Sequence, residues 1–237
     1  MYKRIIIKLS GEGLSNKEND IQIDNKIIND IVRQIKVILE KGVQVGVIVG
    51  GGNFWRGSAA TKFGIPRVRA DYIGMLATIM NALALQSGFE NNDIKARVQT
   101  SILVDPKLAE NYIKEKACAY LEKGEVIIFA GGIGRPFFTT DTASTLIASE
   151  INADIIFMGK NGVDGIYSKD PKINNDAKHF EKITYDQLLE KSLNVMDSTA
   201  AAMAKDNSIN LMVFNINEKD ALLKAVDGKI KHSLVVK

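Results

Sequence analysis

The chain has 237 residues and a single cysteine, Cys118, so no disulfide can close within it. That excludes a small stapled scaffold and fits a reducing compartment. Cys118 lies in YIKEKACAYLEKG, near the apolar face of an amphipathic helical pattern, and reads as a small buried hydrophobe. Histidine is almost as scarce. His179 and His232 stand far apart among polar residues, which argues for surface positions and against a zinc site or a histidine base. Neither sign of charge dominates: 31 Lys and Arg face 28 Asp and Glu, a net +3 that leaves no electrostatic footprint for a nucleic acid. No uninterrupted apolar run approaches the ~18 residues of a membrane span. The opening MYKRIIIKLSGEG is too short and too lysine-broken for a secretory signal. The expectation is a cytoplasmic protein with no nucleic-acid or membrane partner. Also absent are G-x-x-x-x-G-K-[ST], H-E-x-x-H and G-x-S-x-G, and GEGLSN lacks the third glycine of a dinucleotide fingerprint.

What is present is an alternation of strand-like and helix-like segments. Hydrophobic residues make up 46% and charged residues 25%, the balance of an ordinary globular chain. Residues 4–9 read as a strand. Asp24 is placed to cap a helix whose Ile27, Ile31, Ile35 and Ile38 recur at helical spacing, and Gly42 ends it. Residues 43–49 and EVIIFAGG read as strands buried on both faces. The spacing predicts a long helix over about 67–87, a strand near 95–99 and one helix through DPKLAENYIKEKACAYLEKG. It predicts another helix in DTASTLIASEIN, with Asp141 at its start, and then the strand ADIIFM. GVDGIYSKDPKINNDAKHF reads as a hairpin and polar loop. Helices near 184–192, 197–207 and 218–226 and the strands INLMVF and HSLVVK complete the chain. This is the pattern of an α/β fold with a mostly parallel sheet covered on both faces. The composition shift near residue 160 marks two lobes of one unit, about 1–158 and 159–237.

Three strands end in glycine-rich turns, KLSGEG, GGGNFWRG and AGGIGRPFFTTD. Ligands of such sheets bind beyond the carboxyl ends of the strands. Glycine lets a backbone approach a ligand closely, and turn amides with a helix start suit phosphate oxygens. Lys8, Arg56 and Arg135 supply cations there, and Asp71, Asp141 and Asp170 supply acids. That set suits phosphoryl transfer, in which position and charge do most of the work. Acids at such a site hold a magnesium ion or orient a lysine. Trp55 and Phe137 read as loop anchors, whereas Thr139 and Thr140 at a helix start read as ligand contacts.

Taken together, YKRIIIKLSGE, GVQVGVIVGGGNFWRG, RADYIGMLATIMNALAL, RPFFTTDTA, KNGVDGIYSKDP, VMDSTA and VFNIN resemble the bacterial UMP kinases of the amino acid kinase family over nearly the whole chain. The resemblance implies a three-layer αβα sandwich assembled as a homohexamer. It implies transfer of a phosphoryl group from ATP to UMP, with Mg2+, in pyrimidine nucleotide synthesis. It implies an N-terminal acceptor lobe and a C-terminal ATP lobe. Carried over by position, Lys8, Leu9, Ser10, Gly11, Gly52, Arg56, Asn161, Tyr167 and Asp170 belong to the ATP site. Gly51, Asp71 and the loop Ile133, Gly134, Arg135, Pro136, Phe137, Phe138, Thr139 and Thr140 belong to the UMP site. Lys8, Arg56 and Asp141 are the implied catalytic set, with Lys160 or a neighbour as a further cation. No metal ligand is assigned. GTP-activated members carry glycines after the first strand, where this chain reads LSNKENDIQID; UTP, sharing the uridine, is the implied inhibitor. Two other readings stay open: a family member acting on another anion such as carbamate or acetylglutamate, and a non-catalytic nucleotide-binding protein on the same fold.

Overall fold

In the computed structural model of the chain, the described residues are 2–56 and 63–237. Gly57, the last residue of the GGGNFWRG stretch, lies outside them. A nine-stranded sheet runs in the order β4-β3-β5-β2-β1-β6-β10-β11-β9. In chain order the strands are β1 (Arg4–Leu9), β2 (Gln44–Val49), β3 (Ala96–Thr100), β4 (Glu110–Asn111), β5 (Val126–Ala130) and β6 (Ile155–Lys160). The hairpin β7 (Ile166–Tyr167) and β8 (His179–Phe180) follows, then β9 (Lys182–Thr184), β10 (Asn210–Asn215) and β11 (His232–Val236). All pairings in the large sheet are parallel except β10 with β11.

Two apolar layers sandwich this sheet, and successive residues of β1 point into opposite ones. Ile5 and Ile7 pack with α1 (Asn25–Glu40), α2 (Arg67–Glu90) and α7 (Ala221–Val226). Ile6 packs on the other side with α3 (Lys114–Glu122), α4 (Thr140–Glu150), α5 (Tyr185–Glu190) and α6 (Ser198–Asp206). Period-two alternation thus divides one strand between two cores. β5 is buried at every residue and β2 at all but its first, as doubly covered parallel strands should be. Asp24 accepts a hydrogen bond from the Lys26 N–H, and Gly42 sits at φ 78°, so both ends of α1 form as the sequence implies.

Three differences have local causes. The single helix read into residues 105–124 is instead the short edge strand β4 and then α3. The backbone of Glu110–Asn111 pairs with Gln99–Thr100, and pairing of an open sheet edge outweighs helical spacing. The two histidines are half-buried: His179 Nε2 lies 3.2 Å from Ser233 Oγ, and His232 Nδ1 lies 2.8 Å from the Ile230 carbonyl. The strand β9 arises where polar sequence gave no alternation. Helix α2 has the length and apolarity to cross a membrane, but half of its most apolar stretch is buried in the molecule.

Candidate active site at the carboxyl ends of the central strands

β1 lies between β2 and β6, with Lys8 opposite Ile48 on one side and Met158 on the other. Within the large sheet, strands from residues 44–130 lie on one side of β1 and strands from residue 155 onward on the other, and such a switch point opens a crevice beyond the strand ends. Lys8 points across it. Its Nζ stands 2.8 Å from Asp141 Oδ1, and the two side chains are 12% and 17% exposed, so water screens the pair weakly. Asp141 sits in the first turn of α4, where the helix dipole favours a carboxylate. Lys160, at the end of β6, donates its Nζ to the Val195 carbonyl at 2.7 Å. Burial, and secondarily the charge of Lys8, lower the Lys160 pKa, and Asp141 opposes the shift. Two lysines therefore flank one acid.

The first two glycine turns meet each other. A Cβ on Gly11 would lie 2.5 Å from Asn53 Oδ1 and 2.6 Å from the Gly52 nitrogen; a Cβ on Gly51 would lie 2.8 Å from Ala77 Cβ and from the Gly74 carbonyl. At both positions what approaches the main chain is the protein itself. Gly52 differs: a Cβ there would meet only Glu12, at 3.6 Å. Close approach of a ligand, the sequence-based reason for these glycines, remains open at Gly52 and is not required at Gly11 or Gly51. Ser10 accepts a hydrogen bond from the Gly13 N–H at 3.1 Å, capping a 3-10 turn. The Leu9 side chain lies in the core and its carbonyl accepts from the Gly50 N–H at 2.9 Å, so Leu9 can serve only through its backbone.

Residues that sequence reasoning passed over hold these loops in place. Thr78 of α2 accepts from the Gly131 N–H at 2.8 Å. Asn81, fully buried, donates to the Gly50 carbonyl at 2.7 Å and to Asn53 Oδ1 at 2.8 Å. The available signal was polar residues three apart on the inward side of an apolar helix. Asp71, further up α2, takes Arg67 Nε on both oxygens at 2.9 and 3.0 Å and the Phe137 N–H at 2.8 Å. Phe137 has φ 73°, a strained value for a bulky residue, and its ring lies under the Arg67 guanidinium at 5.6 Å.

A cleft of about 240 Å³ lies among these groups, walled by Gly51, Gly52, Trp55, Asp71, Ile133, Arg135, Phe138, Thr139 and Thr140, with α2 behind. Gly134, Pro136 and Phe137 are not in its wall. Gly134 packs on Ser101 and Phe137 on Arg67. A second cleft, of about 490 Å³, is walled by residues 163 and 165–172 and by residues 191–195, including Tyr167, Asp170 and the Val195 that accepts from Lys160. The Tyr167 hydroxyl donates to Asp164 at 2.6 Å and accepts from Lys231 at 3.0 Å. Asp170 Oδ1 accepts from the Lys172 N–H at 2.9 Å. Asn161 is exposed and in the wall of neither cleft; its Oδ1 lies 4.0 Å from where a Gly13 Cβ would sit. Arg56 is exposed and engages Glu12. Among the described residues no group of three His, Cys, Asp or Glu side chains is arranged to hold a metal ion.

Known proteins resemble this chain in sequence and in fold. A family model described as amino acid kinase family matches residues 3–215. A uridylate kinase of Mycoplasmopsis synoviae is 64% identical over 236 residues, covering 100% of this chain and 99% of that protein. One of Mycoplasmopsis pulmonis is 61% identical, covering 100% and 97%. The crystal structure of UMP kinase from Ureaplasma parvum superimposes with a TM-score of 0.94 at 42% identity over the full length of both chains. That of UMP kinase from Bacillus anthracis gives 0.94 at 38% identity, covering 99% and 96%.

Proposed function

The chain belongs to the amino acid kinase family, and on that premise we propose that it transfers the γ-phosphoryl group of ATP to UMP, releasing ADP and UDP. The observation that carries this reading is the Lys8–Asp141 pair: its acid directly follows Thr139 and Thr140 in the wall of the smaller cleft, and Lys160, within electrostatic reach of both members, bonds Val195 in the wall of the larger. UMP occupies the smaller cleft, its ribose at Asp71 and its base and phosphate within the loop from Ile133 to Thr140. ATP occupies the larger, its adenosine at Asn161, Tyr167 and Asp170 and its phosphates toward Ser10, Gly11 and Gly52.

An oxygen of the UMP phosphate attacks the γ-phosphorus in line. The new O–P bond forms as the bond to the β-bridging oxygen breaks, and the electron pair leaves with ADP. The attacking oxygen is already anionic at neutral pH, so no base is needed, consistent with the absence of a histidine among the cleft walls. Lys8 neutralises charge on the transferring group, and Asp141 holds the lysine in position so that little reorganisation accompanies the reaction. Arg56 exchanges Glu12 for phosphate oxygens when the nucleotides are bound. Mg2+ bound with ATP would supply charge neutralisation at its phosphates, and Asp141 is the acid of the site that would face it. A site without a cage of acids fits a magnesium ion that keeps phosphate and water ligands.

The enzyme assembles as a homohexamer, works in the cytoplasm, feeds pyrimidine nucleotide synthesis and is inhibited by UTP at the UMP cleft. Support for the assembly comes from two exposed apolar sets. Val68, Tyr72, Leu76 and Met80 lie four residues apart on α2, and Leu103, Leu108 and Ile113 lie between β3 and α3. A closed dihedral hexamer needs two kinds of interface. The reading is tested by ADP release with UMP, CMP, carbamate or acetylglutamate as acceptor. UMP-dependent release is expected; release driven by another acceptor, or none with UMP, overturns it.

A further inference from the structure

The VMDSTA stretch joins the resemblance, but beyond Val195 it has no part in the site so far. Its acid, Asp197, caps α6 by accepting from the Ala200 N–H at 2.9 Å. The same carboxylate accepts from the Thr142 hydroxyl at 3.1 Å and from the Thr139 hydroxyl. Thr139 Oγ1 in turn accepts from the N–H groups of Asp141 and Thr142, at 3.0 and 3.3 Å, and so caps α4. One carboxylate thus joins the first turns of two helices, where both dipoles favour negative charge. The helix start it grips is the one that bears Asp141 and part of the smaller cleft's wall. Two residues earlier, the Val195 carbonyl takes Lys160, so residues 195–197 touch both halves of the crevice.

We propose that Asp197 is a positioning residue for the acceptor side: through Thr139 and Thr142 it fixes the first turn of α4, and with it Thr139, Thr140 and the Asp141 that orients Lys8. The proposal rests on the UMP kinase reading above for its kinetic consequence, though not for its structural one. Its chemistry is specific. Thr139 Oγ1 already accepts two N–H groups, so its own proton needs an acceptor, and Asp197 Oδ2 is the one the fold holds against it. Asp197→Asn keeps the size of the side chain and a good cap for α6. It sets an amide donor against the Thr139 hydroxyl, however, so that bond is lost while α6 is not.

Two measurements decide it. Hydrogen exchange at the Asp141 and Thr142 amides, without ligand, should lose about 10-fold or more in protection in Asp197→Asn, while the amides of α6 keep theirs. In steady-state kinetics the same variant should raise KM for UMP and lower kcat by about 10-fold each, with KM for ATP within about 3-fold of wild type. Thr142→Val, isosteric and buried, should move both readouts the same way by about 3-fold, and it serves if Asp197→Asn does not fold. Thr139→Ser, which keeps the hydroxyl, should keep near-normal protection. Unchanged exchange at Asp141 and Thr142 overturns the proposal, as does an equal rise in both KM values. A wild-type enzyme inactive on UMP would instead overturn the functional reading and leave the exchange test standing.

Discussion

The two candidate clefts are built in opposite ways. The smaller one is lined by glycine turns locked against each other and against α2, with Thr78 and Asn81 buried beneath them. The larger one rests on a two-residue by two-residue hairpin outside the main sheet, tied down by surface ion pairs such as Lys169–Asp176 and Lys231–Asp164, both at 2.7 Å. In the first, position is fixed by close packing of main chain, where a methyl group added at Gly51, or at Gly11 beside Gly52, has no room. In the second, it is fixed by solvated charges that can rearrange at little cost. A kinase that must reject other monophosphates yet take an abundant triphosphate has reason to be stiff on the acceptor side and compliant on the donor side. Substitutions should therefore be severe and substrate-selective in the smaller cleft and mild in the larger.

The largest effect is expected between the two, where neither rule applies. Lys8→Ala removes the cation proposed to face the transferring group and should lower kcat by ~10²–10³-fold while moving either KM far less. Near-normal turnover in single-turnover mixing would remove Lys8 from the chemistry. Next comes the stiff side. Asp71→Asn keeps the shape but weakens both the Arg67 pair and the hold on the Phe137 amide. It should raise KM for UMP about 10-fold or more and leave KM for ATP within about 2-fold, since charge-assisted bonds of this kind contribute ~1.5–3 kcal/mol. Equal changes in the two constants would erase the contrast between the clefts.

Much of this was legible in the sequence because strand burial and loop chemistry are local. EVIIFAGG and GVQVGVIV carry no polar alternation, so their burial on both faces followed directly, and Asp24 and Gly42 marked the ends of α1. Lys8 and Asp141 were recognisable as candidates, yet their contact joins residues on β1 and α4 that only the sheet order brings together. The glycines at 11 and 51 were found for a reason the structure replaces: their neighbours are Gly52, Asn53, Gly74 and Ala77, whose proximity depends on how the loops and α2 pack. Thr78 and Asn81 were hidden because a polar residue on an apolar helix reads as a solvent face unless its loop partner is known. β4 was missed because two residues of edge strand leave no period to detect.

The mildest change tests the compliant side. Lys231 bonds Asp164 at 2.7 Å and the Tyr167 hydroxyl at 3.0 Å, and the hydrogen bond to Asp164, more than that to Tyr167, raises its pKa well above that of a free lysine. It stays protonated across any assay pH, so its contribution carries no pH dependence there. The Lys231 and Asp164 side chains are 54% and 31% exposed, which puts the pair in the range of about 0–1 kcal/mol. Lys231→Met leaves the bond from Tyr167 to Asp164 in place and frees one lone pair of the tyrosine oxygen. KM for ATP should rise about 2- to 5-fold, kcat and KM for UMP should hold, and the melting temperature should fall by less than ~4 °C. A rise of 50-fold or more would mean that the hairpin is as rigid a platform as the glycine turns. No change at all in KM for ATP would mean that the Tyr167 hydroxyl has no share in holding the donor nucleotide. Between those outcomes lies the behaviour of a surface whose charges can exchange one partner for another.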